Sequence, residues 1–90
     1  MIFEGTEQVR ETVRAVLADV LGLSPERVAA FTDTTALFGA LPELDSMAVA
    51  SVLTGIEDRL GIVVEDDEVD GDMLETFGTL TEFAVRKAVG

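Results

Sequence analysis

Cysteine and histidine are both missing from the 90 residues. The first absence removes disulfides, thiolate nucleophiles and cysteine-ligated metal sites together. The second leaves no side chain with an unperturbed pKa near neutrality, so general acid–base catalysis would require a strongly shifted carboxylate. Positive charge is scarce as well, with six Lys and Arg against 18 Asp and Glu, a net charge of −12. Such a chain is repelled by nucleic acid and by anionic membranes, and attracted to basic protein surfaces. No apolar run approaches the ~20 residues of a membrane span, and the opening MIFEGTEQ lacks the form of a signal peptide. The expectation is a soluble, cytoplasmic, acidic protein without nucleic-acid binding or membrane insertion.

What is present is a folding composition, 48% hydrophobic and 27% charged, in a length that suits one small domain over residues 1–90. Helical periodicity predicts a first helix from Thr6 or Glu7 to Leu21. Val9, Val13, Val16, Leu17, Val20 and Leu21 would face the core, and Glu7, Arg10, Glu11 and Arg14 the solvent. Thr6 suits its N-cap and Gly22 its end. Ser24-Pro25-Glu26 predicts a short helical turn, with serine as cap and proline in the first helical position. From Thr32 to Leu44 no period holds, yet Leu37, Phe38, Leu41 and Leu44 predict a connection folded onto the core.

A second long helix is expected from Ser46 to Leu60, ended by Gly61. At about 100° per residue, Val49, Leu53, Ile56 and Leu60 line one stripe flanked by Val52. Met47, Ala50, Ser51, Thr54 and Asp58 gather opposite, with Glu57 at the margin. Gly55 suggests close approach of another backbone. Ile62-Val63-Val64 has no second strand to pair with and reads as an extended link. A short helix is predicted around Asp72 to Phe77. Thr79-Leu80-Thr81-Glu82 fits a capping box opening a last helix to about Ala88. The fold class is therefore all-α, a four-helix bundle with three long helices and one short.

Two stretches could carry chemistry. Asp66, Glu68, Asp70 and Gly71 resemble the start of a calcium-binding EF-hand loop, but the twelfth position from Asp66 is Phe77 instead of the bidentate glutamate. An acidic solvated face accounts for the same residues, and no metal site is assigned. At Leu44-Asp45-Ser46-Met47, Asp45 can cap the helix while Ser46 stands where free N–H groups and the positive end of the dipole would meet a phosphate. A nucleophilic serine needs a general base, and neither a histidine nor a suitably placed lysine is present. A serine at this place is otherwise a structural first-turn residue.

Around that motif the sequence resembles the acyl carrier proteins, whose signature is Asp-Ser-Leu or a close variant at the start of the second helix. Thr35-Ala36-Leu37-Phe38 through Leu44 is similar to the family's first loop, and Ile56-Glu57-Asp58-Arg59-Leu60-Gly61-Ile62 to its helix end. Asp66-Asp67-Glu68 and Thr79-Leu80-Thr81-Glu82-Phe83 fall where its third and fourth helices begin. The resemblance implies an acyl-carrier-like bundle that is not an enzyme. It implies 4′-phosphopantetheine attached to Ser46 from coenzyme A by a phosphopantetheinyl transferase with Mg²⁺, and cargo held as a thioester on the arm. The implied partners are that transferase, an acyl or aminoacyl ligase and downstream acyl-processing enzymes with basic docking patches, meeting a monomer at Met47, Ala50, Thr54, Glu57 and Asp58.

Met47 in place of leucine, Ser51 where fatty-acid carriers commonly have glutamate, Arg59, and the added Gly39-Ala40-Leu41-Pro42-Glu43 depart from the housekeeping pattern. The Leu-Asp-Ser-Met form is similar to specialised discrete carriers, including D-alanyl carriers and those of exopolysaccharide or exosortase loci. The alternative function is an acidic helical adaptor or calcium-responsive protein in which Ser46 is purely structural.

Overall fold

The computed structural model describes residues 5–89, in which four α-helices follow one another: α1 Thr6–Leu21, α2 Pro25–Ala29, α3 Ser46–Leu60 and α4 Phe77–Ala88. A single 3₁₀ turn, Asp66–Glu68, lies between α3 and α4. Residues 1–4, on which half of the signal-peptide reading rests, lie outside the described residues. No helix among the described residues is long and apolar enough to cross a membrane.

Helix α1 is the hub, packed against α2, α3 and α4. Val9, Val13, Val16 and Leu17 are fully buried, as the i, i+4, i+7, i+8 spacing requires. Val20 lies at the edge of exposure. The N-cap is Gly5; Thr6 is the first helical residue and provides no cap. Ser24 caps α2 by accepting from the Arg27 N–H at 3.1 Å, with Pro25 in the first turn. Gly55 has no Cβ because one would lie 3.0 Å from a Val16 methyl. The close approach is thus to a side chain of α1, and not to its backbone.

Arg10 and Arg14 are not the solvated residues that their place on α1 suggests. Both guanidiniums lie over the Phe77 ring, at 5.5 and 4.8 Å from its centroid. Arg14 also donates to the carbonyls of Val28 and Phe31, fastening α2 and the chain after it to α1. The Val28 carbonyl also accepts from Phe31 N–H at 3.1 Å, and a cation with several N–H groups reaches that carbonyl and the Phe31 carbonyl at once. Phe31 meets Phe77 in a tilted pair at 5.8 Å.

The connection between α2 and α3 does lie on the core through Leu37 and Leu44, with Leu41 half-buried. Phe38 is the exception at 45% exposed. The reason is a strand-like pairing with the residues before α4. Leu37 N–H donates to Glu75 O at 2.9 Å, Phe38 N–H to Leu74 O at 3.0 Å, and Phe77 N–H to Thr35 O at 2.8 Å. Ala36 and Thr76 form an isolated antiparallel bridge. In extended backbone, neighbouring side chains point oppositely, so burying Leu37 turns Phe38 outward.

The same pairing removes the helix expected at Asp72–Phe77. That stretch holds turns and an extended residue, and Phe77 is already the first residue of α4. The last helix accordingly starts earlier than its expected cap. Thr76 is the cap: its Oγ1 accepts from Thr79 N–H at 3.1 Å, and Thr79 Oγ1 accepts from Thr76 N–H at 3.0 Å. Thr79 is inside the helix as the partner of the box.

Candidate functional site

The site is built at the entry to α3. Leu44 is buried and pins the chain at the position before the cap, while Val49 packs against the core one turn later. These are the two places of a hydrophobic staple, which sets the angle of entry. Asp45 is extended, and its Oδ1 accepts from Ala48 N–H at 2.8 Å while its carbonyl accepts from Val49 N–H at 2.9 Å. The cap is therefore supplied by aspartate. Ser46 occupies the first helical position, exposed, and its hydroxyl is not consumed as a cap.

Backbone N–H groups of the first turn lack helical partners, and the macrodipole puts partial positive charge at the same end. A phosphodiester on Ser46 Oγ would meet both. The approach to Asp45 is held from outside by Arg27 of α2, which donates to Glu43 Oε2 at 2.8 Å. This contact keeps the Glu43 carboxyl below its usual range, with the Arg27 hydrogen bond the main cause and a bond to its own backbone the next.

From Ser46 an open groove of about 490 Å³ runs along α3. One wall is α3 itself, through Ser46, Val49, Ala50, Leu53, Thr54 and Glu57; the other comes from the link after α3, through Val64, Asp66 and Val69. A hollow of similar volume between Arg10 of α1 and Thr79 of α4 includes neither Ser46 nor any other residue of α3.

Of the other residues singled out in the sequence, Met47 is 82% exposed beside Ser46, and Ala50, Ser51, Thr54 and Asp58 are exposed further along α3. Glu57 differs. It is half-buried, and its Oε2 accepts from Val64 N–H at 2.7 Å. The EF-hand-like carboxylates serve local structure. Both oxygens of Glu68 take Lys87 Nζ at 3.0 Å, Glu68 Oε1 also takes Glu65 N–H, and Asp70 takes Met73 N–H. Among the described residues no three acidic side chains converge on a metal position.

All six basic side chains are in ion pairs: Arg10–Asp33, Arg14–Glu11, Arg27–Glu43, Arg59–Asp19, Arg86–Glu82 and Lys87–Glu68. What remains to act at a distance is acid. The Arg27–Glu43 pair and the Glu57–Val64 bond leave no mark in the sequence, because the partners lie seven or more residues apart and no local signal joins them.

A family model described as a phosphopantetheine attachment site matches residues 11–84. The chain belongs to the phosphopantetheine carrier family. It is also similar to a holo acyl carrier protein of Nitrosomonas europaea, solved by solution NMR. The two are 43% identical, the match covers 88% of this chain and 94% of that one, and the TM-score is 0.79. The bundle is thus an acyl-carrier fold, and the protein is a non-enzymatic carrier with a covalent 4′-phosphopantetheine arm. It works with a phosphopantetheinyl transferase and with acyl-processing enzymes. The adaptor or calcium-responsive alternative is not favoured.

Proposed function

We propose that Ser46 carries the arm, and that residues 1–90 form one carrier domain presenting acyl or aminoacyl groups to partner enzymes. The observation that carries this is the division of labour at the α3 entry. Asp45 takes the cap, which leaves the Ser46 hydroxyl exposed at the mouth of the groove. The arm's terminal thiol supplies the chemistry, holding cargo as a thioester. Ser46 holds the arm, the first-turn N–H groups offset the phosphate charge, and the α3 groove offers a course for it.

Partners would meet the α3 face next to the attachment point. Met47 offers an exposed apolar contact, Ala50 and Thr54 leave room for approach, and Asp58, with any share of Glu57 left to solvent, attracts basic docking patches. We place the protein in the cytoplasm as a monomer, in a dedicated lipid or secondary-metabolite pathway in place of housekeeping fatty-acid synthesis. Ser51 on the outward face supports this, since fatty-acid carriers commonly have an acid there.

The test is intact mass after incubation with coenzyme A, Mg²⁺ and a broad-specificity phosphopantetheinyl transferase. Wild type should gain the mass of one arm. Ser46→Ala should keep its helical circular dichroism and gain none. An adduct that persists in Ser46→Ala, or no adduct on wild type under conditions that load a control carrier, refutes the assignment.

A further inference from the structure

Glu57 stands apart from its neighbours on α3 because it binds the chain that follows the helix three times. Its carbonyl accepts from Gly61 N–H at 2.9 Å and from Ile62 N–H at 3.1 Å, and its carboxylate accepts from Val64 N–H at 2.7 Å. The first two are the usual closure of a helix by an αL glycine, here Gly61 at φ 66°. The third is not part of that closure. It reaches past the turn and clamps the backbone of a residue that forms the opposite wall of the groove.

That wall has little regular structure of its own, only the single 3₁₀ turn at Asp66–Glu68. Val64 and Val69 rest on the core, and side-chain hydrogen bonds fix the wall at two points: to α3 by the Glu57 carboxylate and to α4 by the Glu68–Lys87 pair. Ser46 lies at one end of the α3 wall and Glu57 toward the other, about 16 Å apart along the axis at the rise of an α-helix. A group anchored at Ser46 and extended along α3 would therefore pass the Val64 wall.

We propose that Glu57 is a positioning residue, whose carboxylate holds Val64 so that the arm on Ser46 lies in a walled groove along α3. The proposal rests on the assignment of the arm to Ser46. It gives Glu57 a task distinct from that of the adjacent Asp58, which is exposed. The acceptor atom is what matters at residue 57, whereas a docking role requires its charge.

The experiment compares wild type, Glu57→Gln, Glu57→Ala and Asp58→Asn by NMR, as apo protein and after enzymatic loading with the arm. Circular dichroism verifies that each is folded. Gln keeps an oxygen that can accept from Val64 N–H and removes the charge; Ala removes both. In Glu57→Ala, exchange of the Val64 amide should speed up by about tenfold, the effect of losing a charge-assisted bond. In the loaded protein, arm contacts to Val64 and Val69 should disappear in Glu57→Ala and persist in Glu57→Gln and Asp58→Asn.

Unchanged Val64 exchange in Glu57→Ala overturns the proposal. So do arm contacts that survive there, an arm that never touches Val64 in wild type, or a Gln variant as impaired as the Ala variant. Failure of wild type to accept an arm on Ser46 would instead show itself in the intact mass. Val64 exchange is measured on apo protein, so the clamp and the attachment are judged separately.

Discussion

At the scale of single residues, Glu68 shows how a carboxylate on an acidic stretch is put to structural use. Its Oε1 accepts from the Glu65 N–H, and both of its oxygens face Lys87. The Glu65 N–H is the largest cause of a pKa below the usual 4.5, and the Lys87 hydrogen bond comes next. A group whose pKa is depressed on folding favours the folded state above its unfolded value and loses that contribution as pH falls through the folded value. The turn at Asp66–Glu68 should therefore hold at neutral pH and loosen below about 4.5, the usual glutamate value. Following the Glu68 side-chain carbon by NMR should give a midpoint below that of an unperturbed glutamate. Lys87→Met should raise it only part of the way, because the Glu65 N–H remains. A full return to the usual value would show that lysine, and not the backbone, dominates.

Among the elements, α3 was the most legible in the sequence, and the reason is local. Asp45 before Ser46 and Gly61 after Leu60 mark its two ends by side-chain capping and by the αL turn. The residues between them divide into a buried stripe and an exposed face by period alone. The start of α4 was not legible, because two boxes compete there: Thr76 with Thr79, and Thr79 with Glu82. The bridge from Ala36 decides for Thr76 by holding it extended, and that partner is forty residues away. The same non-local pairing cancels the short helix at Asp72–Phe77 and exposes Phe38. Arg10 and Arg14 were misplaced on similar grounds, since their partners are Phe77 and the carbonyls of Val28 and Phe31. In the site, the cap was readable from adjacent residues, whereas the Val64 clamp needs the folded chain.

The junction of this pairing with α4 yields a prediction at the element scale. Gly78 donates its N–H to Asp33 O at 3.0 Å, and a Cβ at that place would lie 2.6 Å from the same oxygen. Replacing glycine by alanine inside a helix ordinarily gains up to about 1 kcal/mol. Here the obstacle is backbone, which cannot rotate away, and forcing the loop off α4 costs roughly 1–3 kcal/mol. Gly78→Ala should therefore lower the midpoint of urea unfolding. A raised midpoint would mean that the Asp33 loop yields easily.

For the whole molecule the deciding quantity is charge against size. The net charge of −12 is spread over a body of 38 × 31 × 21 Å, and every basic side chain is already paired. At about 10 mM salt the Debye length is about 30 Å, so acids on opposite sides repel one another; at about 150 mM it is about 8 Å and only neighbours do. Salt also weakens the six ion pairs, but exposed pairs contribute about 0–1 kcal/mol each and the acids outnumber the bases threefold. Self-repulsion wins. Raising salt over this range should increase Tm of the carrier. The same addition should weaken its encounter with a basic partner, because the field that destabilises the fold is the one that steers docking. Differential scanning calorimetry and kcat/KM for loading by the phosphopantetheinyl transferase, measured in one buffer series, should thus move in opposite directions. A Tm that falls with salt would place the ion pairs above the repulsion. A kcat/KM that stays level would mean that the docking face proposed on α3 works through an apolar contact such as Met47 and not through its acids.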